Sequence, residues 1–199
     1  MKESMFCFQC QETARGTGCT VKGVCGKDPQ TAAYMDVLLY AVRGIAIVNR
    51  TLREKGTADN EIDHFVLDAL FCTITNANFD DEAIIVRIKK AFEIKNILVG
   101  TAKKRNIALP DMPEVAYFVS EENYLAEAAE VGVLSEPNED LRSLKQMVIY
   151  GVKGAAAYTE HALNLGFEDH DIYAMIENAL VEISRSDISA EELVSLVLN

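Results

Sequence analysis

Residues 28–56 read DPQTAAYMDVLLYAVRGIAIVNRTLREKG, and this stretch decides the fold. Asp28 suits a helix N-cap, Pro29 its first turn, and Gly56 its end. Between them Met35, Leu38, Leu39, Val42, Ile45, Ala46 and Leu52 recur at helical spacing, the pattern of a long helix with one face in a core. The nine residues 38–46, LLYAVRGIA, are matched at an offset of 110 by residues 148–156, VIYGVKGAA. The same offset sets Ala69-Leu70 on Ala179-Leu180 and Glu82 on Glu192. A register held across three helices points to an internal repeat. Two similar three-helix units are expected, each burying its stripes as an up-down-up bundle. Gly44 and Gly154 fall mid-helix at matched positions, where glycine costs about 1 kcal/mol relative to alanine. That repetition suggests close helix approach in both units.

Outward from this centre the helical pattern continues. A second helix is expected over about 60–76, with Phe65, Leu67, Leu70, Phe71 and Ile74 in the core. A third starts after Asp80-Asp81, whose charges suit a helix N-terminus, and runs to about Arg105. Leu109-Pro110-Asp111-Met112-Pro113 breaks the pattern, and a short helix near 121–131 ends before Gly132 and Pro137. A long helix spans about 138–165 and closes at Gly166, another spans 170–185, and the last starts at Ser189. Ser189-Ala190-Glu191-Glu192 is a capping box. The fold class is all-α. Residues 1–27 form a cysteine-rich loop, 28–107 the first three-helix unit, 108–137 a connector with a short helix, and 138–199 the second unit. That second unit reads as truncated, and the chain as part of something longer.

Hydrophobic residues make up 49% of the 199 and charged residues 25%, a composition that supports a packed globular core. The formal charge of −12 repels phosphates, so nucleic acid is not an expected partner. A run of roughly 18 apolar residues, the length needed to cross a bilayer, is not evident. No signal-peptide core follows Met5-Phe6. No membrane association is expected, and the expected location is cytoplasmic.

Four of the five cysteines lie within the first 25 residues, spaced Cys7-x2-Cys10-x8-Cys19-x5-Cys25. Disulfide frameworks favour oxidising compartments and a wider spread, whereas clustered thiols in a reducing cytosol hold a metal. Gly16, Gly18, Gly23 and Gly26 let the loop fold tightly around it. Spacing alone suits tetrahedral zinc and an iron–sulfur cluster equally. The neighbours favour the cluster. An all-thiolate [4Fe–4S] site carries net negative charge, which N–H groups, hydroxyls and cations stabilise. Gln9, Gln11, Thr13, Thr17 and Thr20 are candidate donors, and Arg15, Lys22 and Lys27 supply positive charge.

Met5-Phe6-Cys7-Phe8-Gln9-Cys10-Gln11-Glu12-Thr13, with Gly18-Cys19-Thr20 and Gly23-Val24-Cys25-Gly26-Lys27, resembles the opening of the hybrid cluster protein family. These are also known as prismane proteins or hydroxylamine reductases, and the likeness extends through the helices. The resemblance implies that Cys7, Cys10, Cys19 and Cys25 are iron ligands of a cubane [4Fe–4S] cluster. The compact spacing matches the cubane subclass rather than the one that holds a [2Fe–2S] cluster. It also implies a helical first domain with an electron-transfer role, partnered by a redox donor protein and by the remaining domains of the full-length reductase. In family members those domains carry a hybrid iron–sulfur–oxygen cluster where substrate is reduced. Its ligands have no counterpart in these residues, so neither that cluster nor hydroxylamine reduction is expected of them alone. The related carbon monoxide dehydrogenases share the architecture but space their N-terminal cysteines differently. The alternative is a helical interaction module stapled by structural zinc or an iron–sulfur knot, with no redox role. Bundle surface left exposed by missing domains would favour a homodimer.

Other motifs carry less. Glu61-x-x-His64 has the spacing of a di-iron bundle site, but such a site needs a second copy, and Tyr158 and Phe167 stand where His161 and His170 would need glutamate. Cys72 lies on an apolar stripe and reads as core. Gly16-Thr17-Gly18 has neither a preceding strand nor a GK[ST] ending, so it is not a nucleotide loop. Ser/His/Asp chemistry lacks a nucleophile elbow.

Overall fold

Five of the helix starts among the described residues are held by side-chain oxygens. Asp59 Oδ1 accepts the Glu61 N–H, and Asp169 Oδ1 accepts that of Asp171, each at 3.0 Å. Asp80 and Asn138 each cap two N–H groups. The Ser189 capping box closes in both directions: the Glu192 N–H donates to Ser189 Oγ at 3.2 Å, and the Ser189 N–H to Glu192 Oε2 at 2.8 Å. Asp28 differs from expectation. It makes no side-chain cap bond and instead pairs with Lys22 at 3.0 Å across the end of the cysteine loop.

The computed structural model describes residues 5–10, 12–57, 59–74 and 77–198. Its α-helices are α1 (Pro29–Arg53), α2 (Asn60–Cys72), α3 (Asp81–Lys104), α4 (Pro113–Ala116), α5 (Tyr124–Val131), α6 (Glu139–Asn164), α7 (His170–Ser184) and α8 (Ala190–Leu198). No strand occurs among the described residues, and the fold is all-α. A 3-10 turn at Ala14–Gly16 interrupts what was expected to be a loop without helix. The second helix stops at Cys72, sooner than expected; residues 75–76 at its anticipated end, and Gln11 in the loop, lie outside the described residues.

The repeat is visible in the elements. The starts of α1 and α6, and those of α2 and α7, are separated by the sequence offset of 110. Gly56 and Gly166, at that same offset, both adopt left-handed backbone, with φ of +74° and +83°. The N–H one residue later returns in each to the carbonyl five residues back, Thr57 to Leu52 and Phe167 to Ala162, both at 3.0 Å.

The two units do not bury their stripes in isolation. The principal neighbour of α1 is α3, with α4, α5 and α7 on its other sides, whereas α6 packs against α2, α7 and α8. The middle helix of each unit therefore touches both long helices, more extensively that of the other unit, and one continuous core results. By length and composition α1 could cross a bilayer, but 72% of its most apolar stretch is buried within the protein. It is the central core helix, apolar nearly all round because it has neighbours nearly all round.

Three buried polar groups from three helices sit in that core. Asn49 (α1) donates to Glu177 (α7) at 2.5 Å, and Arg53 (α1) reaches both Glu177, at 3.1 Å, and Asp63 (α2). Burial, opposed by Asn49 and Arg53, pushes the Glu177 carboxyl up to about 7. Asp63 is also raised by burial, against the pull of Arg53.

Close approach holds at one of the two matched glycines. A Cβ on Gly44 would lie 2.4 Å from the Glu114 carbonyl oxygen of α4 and 2.9 Å from the Lys95 side chain, whereas one on Gly154 would meet nothing within 4 Å. Helix α4 itself was not legible as a helix. It is held down by fully buried Lys95, whose Nζ donates to the Glu114 carbonyl at 2.8 Å and to that of Tyr117. Gly44→Ala is expected to destabilise the protein by about 1–3 kcal/mol through overpacking. Gly154→Ala is expected to stabilise it by up to about 1 kcal/mol. Denaturant unfolding of the two variants checks both signs.

Candidate functional site

The cysteine loop is built on one backbone pairing. Cys7 and Cys19 form an antiparallel bridge, the Cys7 N–H donating to the Cys19 carbonyl at 3.1 Å and the Cys19 N–H to the Cys7 carbonyl at 2.8 Å. The first and third cysteines are thereby side by side. A turn follows Cys10, closed by the Thr13 N–H on the Cys10 carbonyl at 3.3 Å. The Thr13 hydroxyl donates to the Cys7 carbonyl at 3.0 Å and lies 3.7 Å from Cys19 Sγ. The fourth cysteine projects from a second turn, in which the Gly23 N–H donates to the Lys27 carbonyl at 2.8 Å and the Gly26 N–H to the Gly23 carbonyl at 2.9 Å.

Cys19 is the buried member of the four, packed with Met5 and Ala32 in a small cluster separate from the main core. Cys7 and Cys10 are half-buried and Cys25 is exposed. Burial raises the Cys19 thiol, but the N–H groups of Ala14 (3.4 Å from Sγ) and Val24 and the Thr13 hydroxyl outweigh it, and the net shift is downward. The loop therefore favours the thiolate at this position. The Val24 contact also sets the segment bearing Cys25 against Cys19. Among the described residues no three His, Cys, Asp or Glu side chains close on a position for a single metal ion. All four cysteines are free thiols.

Of the basic residues singled out from sequence, Lys22 is exposed in its pair with Asp28, and Lys27 is buried, with Nζ 3.1 Å from Met35 Sδ. A second buried cation was missed. Lys153 of α6 is fully buried and donates to Gln9 Oε1 at 3.3 Å and to the Thr73 carbonyl at 3.0 Å. Burial, aided by Lys27, brings its ammonium down to about 7, while Asp36, Cys7 and Cys72 pull it up. A signal was present: Lys153 interrupts the apolar stripe of α6, and at the repeat offset it coincides with Arg43, which interrupts that of α1. Asp36 stands between these cations. Burial lifts its carboxyl to about 7 against Lys153, Lys27 and Arg43.

The remaining candidates resolve as structural. Cys72 is buried, and Asn78 donates to its Sγ at 3.2 Å. His64 is partly buried edge-on to Tyr173, 3.4 Å from Glu168. A cavity of about 360 Å³ lined by Asp36, Arg43, Arg142, Lys145 and Arg185 has three of these four cations already paired, Arg43 with Glu114, Lys145 with Glu136 and Arg185 with Glu182, Asp187 and Glu192.

The site is a four-cysteine loop seated on an all-α core whose halves share a sequence repeat. Residues 5–199 match the Prismane/CO dehydrogenase family, and the chain belongs to it. It is 54% identical over 195 residues to a hydroxylamine reductase of Bacteroides thetaiotaomicron, covering 98% of this chain and 35% of that protein. A hydroxylamine reductase of Bacteroides fragilis is 50% identical over 196 residues, and one of Desulfitobacterium hafniense 45% over 198, each covering 98% of this chain. The chain thus spans about 35% of the length of these relatives.

Proposed function

We propose that this chain is the N-terminal, electron-transfer part of a hydroxylamine reductase-like hybrid cluster protein, and that Cys7, Cys10, Cys19 and Cys25 hold a [4Fe–4S] cluster. The observation that carries the reading is the Cys7–Cys19 bridge with N–H donors directed at the Cys19 sulfur. Donors of this kind stabilise sulfur that carries negative charge, and they surround iron–sulfur sites for that reason. The donor set is all thiol, it lies on hydrogen-bonded turns, and two buried lysines stand behind it, which suits a multinuclear anionic group. When bound, such a cluster accepts and passes on one electron at a time. The protein's own residues hold the thiolates, exclude water from Cys19 and set the charge around the loop.

In the full-length polypeptide the electron would pass to a reaction centre in the remaining domains, where hydroxylamine or a related nitrogen compound is reduced. A redox donor protein in the cytoplasm would supply it. The test is iron, zinc and sulfide content with a visible spectrum, on protein purified or reconstituted without oxygen. Roughly four irons and four sulfides per chain, with a brown band bleached by dithionite, is the expected result for a cubane. One zinc in a colourless protein that resists reconstitution would replace this reading with the structural staple.

A further inference from the structure

Lys153 is the point at which the helical core reaches the cysteine loop. Its side chain crosses from α6 to a carbonyl 80 residues away, at the end of α2, and to a loop side chain 144 residues away. Thr73, which presents that carbonyl, is itself fully buried, its hydroxyl donating to the Leu70 carbonyl at 2.9 Å. The ammonium is therefore held from the core side, and its remaining reach is toward Gln9, between the first two cysteines. An ammonium with no exposed surface is costly unless anionic or polar partners compensate. The ionisable groups around it are Asp36, Lys27, Cys7 and Cys72. Asp36 faces Lys153, Lys27 and Arg43, and Arg43 also lies 3.9 Å from Glu114. Lys153 and Lys27 are the buried lysines beside the loop, and an anionic group held there would be stabilised by them.

We infer that Lys153 is a positioning residue for the loop's redox group: it ties the Cys7–Cys10 turn to the core through Gln9 and places a buried positive charge that favours the reduced state. This rests on the [4Fe–4S] reading above. One-electron reduction adds one negative charge to the cluster while the thiolates are unchanged, and a fixed cation nearby stabilises that added charge.

The test is the midpoint potential of the reconstituted chain, read from the visible spectrum during dithionite titration with redox mediators. Lys153→Met is expected to load iron as the native chain does and to titrate at a more negative potential. Lys153→Arg, which keeps the charge, is expected to stay close to the native value. Where Lys153→Met does not fold, as judged by circular dichroism, Lys153→Gln replaces it, since its amide can still donate to the Thr73 carbonyl; the same negative shift is expected. A neutral variant that folds, loads iron and titrates at the native potential would overturn the inference and leave the cluster reading intact. Failure of the native chain to load iron would remove both.

Discussion

Cys19→Ser is expected to reduce bound iron from about four per chain to near zero while leaving helical content and cooperative unfolding in place. Cys19 combines burial, pairing with Cys7 and N–H donors at its sulfur. A serine hydroxyl at this position remains protonated and is a far weaker ligand for iron than a thiolate. The loop would lose the member of the set that is least able to be replaced by a neighbouring thiol or by water. The fold should tolerate the change, because Cys19 packs with Met5 and Ala32 outside the main core. Cys72→Ser supplies the comparison: it alters a buried thiol on α2 and should leave iron content at the native level. Iron and sulfide analysis alongside circular dichroism checks both. Full iron retention in Cys19→Ser would remove this residue from the ligand set.

The second large effect concerns stability and its dependence on pH. Arg53 is the cation that faces both Asp63 and Glu177 in the core. Glu177 titrates near 7 in the folded protein against an ordinary 4.5, chiefly because burial disfavours its charge. A carboxyl raised in this way contributes its full stability below its unfolded value, and loses it as pH rises through the folded one. The gap corresponds to roughly 3 kcal/mol lost between about pH 4.5 and pH 8. Arg53→Met leaves two buried carboxylates without their cation, which is expected to cost about 3 kcal/mol or more at pH 8. At pH 5.5, where Glu177 is protonated, the cost should be smaller. Urea unfolding of both proteins at the two pH values gives the comparison, and an equal loss at both would show that Glu177 does not carry the charge assigned to it.

Much of the helical layout is legible in the sequence because its causes are local. Asp59, Asp80, Asn138 and Ser189 act on N–H groups two or three residues away, and Gly56 and Gly166 close their helices within one turn. What sequence could not give is set at long range. Helix α4 starts on the last proline of a Pro-Asp-Met-Pro run that reads as a break, and it forms where Lys95, from α3, holds the Glu114 carbonyl. Gly44 and Gly154 are equivalent by sequence and differ only in whether α4 lies against them. The exchange of middle helices is likewise invisible to periodicity, which says that a face is apolar but not which helix covers it. At the candidate site the cysteines announce themselves by spacing, whereas Lys153 joins them from 144 residues away.

The crossing of α2 onto α6, and of α7 onto α1, bears on how such a chain can arise. Two identical three-helix subunits that traded their middle helices would make a closed, self-complementary pair with this arrangement of contacts. Joining the end of one to the beginning of the other, through a segment such as 108–137, would give a single polypeptide in which each half is the other's former partner. Once fused, the halves would be free to diverge. One matched helix end kept its glycine, and one matched basic position became Arg43 in the first half and Lys153 in the second. The cysteine loop, which precedes the first half and has no counterpart before the second, is the largest departure from that internal repeat.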